Sequence, residues 1–214
     1  MDKIESRAFN FDVRAEEDTK HGHCLTGMPI VFDQRTDMGW YDEIIARGAL
    51  DEADLKDVRF LIGHDVSMVP LARSRNNNEN STMQMKVGDD GMRIRVDLDT
   101  ENNADSKKLY SATKRGDISG MSFQFVVDIE KDLWTDRDSE HPTRTIRSIK
   151  RVLEVSAVAF PAYEGTTIEA RSEGSAPDGA RASLESARAA AQKAADAERR
   201  AAAIKSLEKW RNKG

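Results

Sequence analysis

The chain has 214 residues, 38% apolar and 33% charged, which suits one core of domain size but is too polar for every segment to be packed interior. No apolar run approaches the ~20 residues needed to cross a bilayer, and residues 1–18 lack the apolar centre of a secretory leader. The single cysteine, Cys24, excludes an internal disulfide, and a net charge of −5 argues against a nucleic-acid partner, so the chain is expected to act in the compartment where it is made.

In chain order, "SRAFNFDVRA" (6–15) alternates apolar and polar residues as a half-buried strand does. "HCLTGMPIVF" (23–32) reads as a second strand interrupted near Gly27. "WYDEIIARGAL" (40–50) suits a short helix, and "LDEADLKDV" (50–58) another turn or two. "RFLIGHD" (59–65) is a short apolar strand ending in a His-Asp pair. In "TMQMKVGDDGMRIRVDLD" (82–99), alternating runs flank a Gly-Asp-Asp-Gly turn, a hairpin signal. Residues 103–118 predict a helix that ends near Gly116. Residues 121–134 and 145–160 predict two long strands. Many short strands with few helices indicate an α+β fold: a mostly antiparallel, strand-rich barrel or sandwich with surrounding helices.

The C-terminal part differs in composition. Residues 171–183 are rich in Gly, Ser, Pro and Ala and read as a flexible linker between a core, 1–170, and an Ala-rich basic helical tail, 184–214. From Ser172 onward there are nine Lys/Arg against six Asp/Glu, a net of +3, against −8 for the rest of a chain whose total is −5. The tail composition favours helix, spanning roughly 45 Å at 1.5 Å per residue. Its large apolar residues are few (Leu184, Ile204, Leu207 and Trp210), so most of it cannot bury a broad face. It is expected to be mobile, and to dock on a partner, be removed, or remain a solvated tail.

A serine hydroxyl becomes a useful nucleophile only when a base takes its proton. "SGMSFQF" (119–125) places two serines where a flexible stretch meets a strand. Either can be ordinary turn and strand chemistry, or Gly120 and Met121 can let the chain turn so that Ser122 projects. Of four histidines, His21 and His23 sit just before the lone cysteine in "KHGHC", where i and i+2 on a strand share a face, but no further Cys/His cluster completes a metal site. His141 lies in a polar loop. His64 closes an apolar strand and is either a satisfied structural histidine or a base. Glu154 interrupts the apolar run "VLEVSAVAF", so its carboxylate needs a buried donor. An imidazole N–H would serve, fixing the tautomer. Arg147 and Arg151 are the competing partners. Ser156 faces the same way as Glu154. A cysteine hydrolase built on Cys24 with His21 or His23 is a further reading, disfavoured because a nucleophile beside its own base is badly aimed.

Together and in this order, "FLIGHD", "KRGDISGMSFQF" and "LEVSAVAFPAYEGT" resemble the tailed-phage prohead (head-maturation) proteases, over roughly Arg7 to Thr167. "GMPIVFDQ" and "YDEIIARGAL" resemble that family's opening. The resemblance implies a fold similar to the herpesvirus assembly protease and a serine endopeptidase that needs no cofactor or metal. Such an enzyme works in the host cytoplasm, inside the assembling procapsid. Its substrates would be scaffold, or the scaffolding segment of the capsid protein, and the enzyme itself. A homo-oligomer is compatible with it; nucleic acid and membrane are not implied as partners. By motif match, His64 would be the general base, Ser122 the nucleophile and Glu154 the third member, where the herpesvirus relative has a second histidine. Where relatives often have glycine after the Ser-Phe pair, this chain has Gln124. Arg115 and Gly116 are candidates for the oxyanion site. A catalytically inactive scaffold or assembly protein on the same fold is the alternative.

Overall fold

A computed structural model describes residues 4–9, 13–18, 22–159 and 176–211. The elements in order are β1 (Ile4–Phe9), β2 (Arg14–Asp18), β3 (Gly22–Val31), β4 (Thr36–Asp37), β5 (Asp42–Ile45), β6 (Asp57–Ile62), β7 (Ala72–Arg75), β8 (Met83–Val87), β9 (Gly91–Asp97), α1 (Ala104–Arg115), β10 (Gly120–Val127), β11 (Leu133–Thr135), β12 (Thr143–Ile146), β13 (Ile149–Val158) and α2 (Ala176–Arg211). Among the described residues they form three sheets, ordered β1-β10-β13-β6-β7, β11-β12-β5-β4 and β2-β3-β9-β8. Pairing is mostly antiparallel; β13 with β6 and β12 with β5 are parallel. The expected strand-rich α+β fold with a C-terminal helix is present. The barrel is not, because each sheet stays open and the strands at 6–15 divide between two of them.

Several local expectations hold. β8 and β9 form the hairpin, and β3 shifts register between Gly27 and Ile30, where its strand was read as interrupted. Helix α1 starts at an Asn103 cap, whose side chain accepts from the N–H groups of Asp105 and Ser106, and stops at Gly116 in the left-handed conformation. Others change. Residues 42–45 are a strand rather than a helix, because β5 lies between β12 and β4 and turns Glu43 and Ile45 inward. The long strands expected at 121–134 and 145–160 each split in two, giving β10 with β11 and β12 with β13.

The main core gathers Phe60, Phe123, Phe125, Ile146, Val152 and Val155 with the hairpin's Met83, Met92 and Val96. A smaller cluster joins Tyr41 and Trp134 to Ala180 and Leu184 of α2. The helix therefore begins at Ala176, within the stretch read as linker, and its first turns are packed rather than free. Pro177 is tolerated there because the first helical N–H groups have no intrahelical acceptor. Trp134 Nε1 donates to Ser183 Oγ at 2.9 Å, Ser183 Oγ donates to Asp132 Oδ2 at 2.7 Å, and the Arg181 guanidinium lies 5.1 Å from the Trp40 ring centre. Beyond these contacts residues 197–205 are exposed.

Candidate active site

The five-stranded sheet brings three separate segments together. β10 runs antiparallel to β13 with Ser122 opposite Ser156 and Gln124 opposite Glu154. β6 runs parallel to β13 on its other side, with Leu61 beside Ser156. The turn that ends β6 therefore lies next to Ser156, across β13 from Ser122. Side chains two apart on a strand share a face, so Glu154 and Ser156 point the same way.

That turn is tightly specified. Gly63 and His64 both have left-handed backbones, with φ of 60° and 63°. The Gly63 N–H donates to Ala157 O at 3.0 Å, the His64 N–H to Ser156 Oγ at 3.0 Å, and the Asp65 N–H to Ile62 O at 3.1 Å. The result aims the imidazole back across the strands. His64 Nε2 lies 2.6 Å from Ser122 Oγ, and His64 Nδ1 lies 2.6 Å from Glu154 Oε1. Ser156 Oγ donates to the other carboxylate oxygen, Oε2. Ser122 and Glu154 are buried and the His64 ring is 23% exposed, so solvent or substrate reaches the group from the histidine side.

With Nδ1–H donating to the carboxylate, Nε2 is an acceptor. The Ser122 hydroxyl then has one proton and two acceptors: His64 Nε2, and Arg7 O at 2.7 Å. Ser6, also on β1, places its hydroxyl 3.2 Å from His64 Nε2 and 3.4 Å from Ser122 Oγ. Sequence reasoning missed both of these neighbours. Ser6 reads as the polar half of an alternating strand, and no side-chain signal marks a carbonyl. A hydroxyl, imidazole and carboxylate in this order can move a proton from oxygen to nitrogen while the acid steadies the resulting imidazolium.

The other candidates fall elsewhere. Ser119 is exposed and precedes the strand. Gly120 and Met121 make no turn: they pair with Val158 and Ala157, so Ser122 is the third residue of a regular strand. Arg147 and Arg151 are exposed, Arg151 beside Asp54 at 3.8 Å, and the donor to Glu154 is the imidazole instead. Gly116 donates its N–H to Thr113 O, and Arg115 pairs with Asp117 at the exposed end of the helix. His21 lies outside the described residues. His23 Nδ1 is 2.6 Å from Thr100 Oγ1 and its ring packs on Tyr110, the pattern of a structural histidine. Cys24 is fully buried, and burial pushes its thiol up from the usual range, the opposite of an activated nucleophile. His141 is exposed and lies 3.1 Å from Asp42 Oδ1 through Nε2.

Residues 9–178 match the family of caudovirus prohead serine proteases. The chain belongs to that family. Among solved structures, the capsid assembly protease of bacteriophage T4 is similar at 15% identity and a TM-score of 0.45, covering 74% of this chain and 98% of that one. No curated protein sequence matches the chain. As a prohead serine protease it has a protease role in capsid maturation. Among the described residues, no helix is long and apolar enough to cross a membrane.

Proposed function

We propose that this prohead protease is an endopeptidase of the Ser-His-Glu type, with Ser122 as nucleophile, His64 as general base and Glu154 as the group that orients and stabilises the imidazole. The observation that carries the reading is the unbroken path from Ser122 Oγ through both ring nitrogens to the Glu154 carboxylate, each step 2.6 Å. As Ser122 Oγ attacks a peptide carbonyl, Nε2 takes its proton, and Glu154 accepts the hydrogen bond of the imidazolium so formed. Nε2–H then returns the proton to the leaving amine, and water enters by the same route. Ser122 must release Arg7 O as it turns toward Nε2, so β1 belongs to the site although it supplies no base.

The proposed substrates are scaffold, or the scaffolding segment of the capsid protein, cut inside the assembling procapsid in the host cytoplasm. Self-cleavage is part of the proposal. The cut falls on the N-terminal side of Ala176, because from there the chain is helical and its first turns are packed against Trp134 and Tyr41. A protease reads extended backbone.

Incubation with a fluorophosphonate and intact-mass analysis tests the reading. A single adduct should map to Ser122 and vanish in Ser122→Ala. His64→Ala should slow its formation by about 10⁴- to 10⁶-fold. A folded wild-type chain left unmodified at Ser122 would instead support the inactive assembly protein. Co-expression with the cognate coat and scaffold then tests the substrates, through products seen with wild type and missing with Ser122→Ala.

A further inference from the structure

The His64 turn raises a physical question. A non-glycine residue in the left-handed region costs about 1–3 kcal/mol and persists only where its surroundings over-determine it. Here two consecutive residues, Gly63 and His64, are left-handed, and the second, the one that is not glycine, carries the imidazole. The backbone N–H of His64 does not join the sheet ladder. Its acceptor is the side chain of Ser156.

Ser156 is fully buried, so its hydroxyl must be satisfied within the protein. One lone pair takes the His64 N–H at 3.0 Å. Its single proton goes to Glu154 Oε2 at 2.5 Å. That leaves Oε1, the oxygen on the other side of the carboxylate, to meet His64 Nδ1 at 2.6 Å. Glu154, the His64 ring, the His64 backbone and Ser156 therefore form a closed loop of three hydrogen bonds. Free rotation of the carboxylate breaks one of them, and relaxation of the turn breaks another.

We propose that Ser156 is a positioning residue for this protease. Its hydroxyl fixes both the rotation of the Glu154 carboxylate and the turn that carries His64, and so holds Nε2 on Ser122 Oγ. It touches no reacting atom. The inference rests on the reading of Ser122, His64 and Glu154 as a triad, and it assigns the work of alignment to one hydroxyl rather than to packing at large. The partner strand supports the assignment: Ser122 lies directly opposite Ser156 in the β10–β13 register, so nucleophile and clamp are set by the same pair of strands.

The test compares wild type with Ser156→Ala, Ser156→Cys and Ser156→Thr. Alanine removes the hydroxyl, cysteine keeps the volume but loses the strong donor, and threonine keeps the hydroxyl. Fluorophosphonate labelling at several reagent concentrations separates the maximal rate from the half-saturating concentration. Displacement of a base by about 1 Å costs on the order of 10²-fold. Alanine and cysteine should therefore lower the maximal rate by roughly 10- to 100-fold and leave half-saturation within about twofold, and threonine should recover most of the rate. A second readout does not need catalysis. The low-field proton resonance of the Nδ1–H bonded to Glu154, assigned by its loss in His64→Ala, should broaden or vanish in the alanine and cysteine variants and persist with threonine.

Labelling at the wild-type rate with the resonance intact in the alanine variant overturns the proposal. Equal losses in folded alanine and threonine variants overturn it too, since volume and not the hydroxyl would then matter. If alanine unfolds the chain, the near-isosteric cysteine variant is read in its place. Absence of labelling in wild type counts against the triad instead, while the resonance comparison still decides whether Ser156 positions the imidazole.

Discussion

At the scale of single residues, the Glu154 carboxylate is the group whose chemistry is most easily isolated. It accepts from His64 Nδ1 and from Ser156 Oγ. Glu154→Gln keeps the shape but replaces one acceptor by an NH2 donor. If the amide oxygen serves Ser156, the NH2 faces Nδ1, and the imidazole must carry its proton on Nε2, pointing at Ser122. A base in the wrong tautomer cannot take a proton. The expected result is a folded protein with an unchanged melting profile and labelling of Ser122 slowed about 10⁴-fold, as found for the equivalent acid-to-amide change in a serine protease triad. Collapse of the fold instead would make the carboxylate a structural group. His64, Ser122 and Glu154 were singled out through the resemblance of their three segments to the prohead proteases, because each side chain taken alone also suits a structural role; the structure brings the three within hydrogen-bond reach. Ser6 and the Arg7 carbonyl were not, since a strand edge is assembled only when β1 meets β10.

At the scale of elements, the sequence misled where charge and apolar spacing imitate another structure. Residues 40–50 space their apolar side chains as a helix does, yet β5 is a strand whose Glu43 is buried against Arg7 and Arg144. Helix α2 was legible as a helix, but its docking was not. The packed face is made of Gly179, Ala180, Ser183 and a single large apolar side chain, Leu184, a pattern that carries little hydrophobic signal. Gly179 tests the docking by sign. In a free helix, Gly→Ala stabilises by roughly 0.5–1 kcal/mol. Here a Cβ at 179 would lie 2.7 Å from Glu5 Oε1, and Glu5 cannot swing aside, held by Arg144 at 2.8 and 3.0 Å and by Arg7 at 2.6 Å. Gly179→Ala should therefore lower stability by about 1–3 kcal/mol, the usual cost of overpacking, in urea melts. A gain would show that the first turns of the helix stand free of the core.

At the scale of the whole molecule, one buried cluster joins β1, β5, β12, the segment before β11 and the root of α2. Its charged members are Glu5, Glu43 and Asp132 against Arg7 and Arg144, all with side chains almost completely enclosed. Three acids face two guanidinium groups, so full ionisation leaves one negative charge in excess, an expensive state away from water. The excess is resolved unevenly. Glu43 stays below the usual carboxylate range: burial pushes it up, but Arg7 and Arg144 outweigh that. Asp132 goes the other way. Burial raises it from 3.8 to about 6, against the opposing pull of Arg144 and Ser183, and its Oδ1 is buried with no hydrogen-bond partner. A proton on Asp132 relieves the surplus.

The sign follows from linkage. A carboxyl whose folded pKa is raised binds its proton more tightly in the folded chain. Its contribution is complete below about pH 3.8 and is lost as pH rises through about 6. The shift of about two units corresponds to about 3 kcal/mol. Glu43 contributes in the opposite sense, with stability present above 4.5 and lost as pH falls through its lowered value. Asp132→Asn removes only the first slope, and the other groups cancel in the comparison. The mutant should be the less stable protein near pH 4.5, because its NH2 is buried without an acceptor. It should draw level with wild type or pass it by about pH 8, the difference moving by about 2 kcal/mol between pH 4.5 and 8 in denaturant melts. A difference that stays constant with pH would mean that Asp132 is ionised throughout, and that the cluster holding α2 to β1 carries its extra charge permanently.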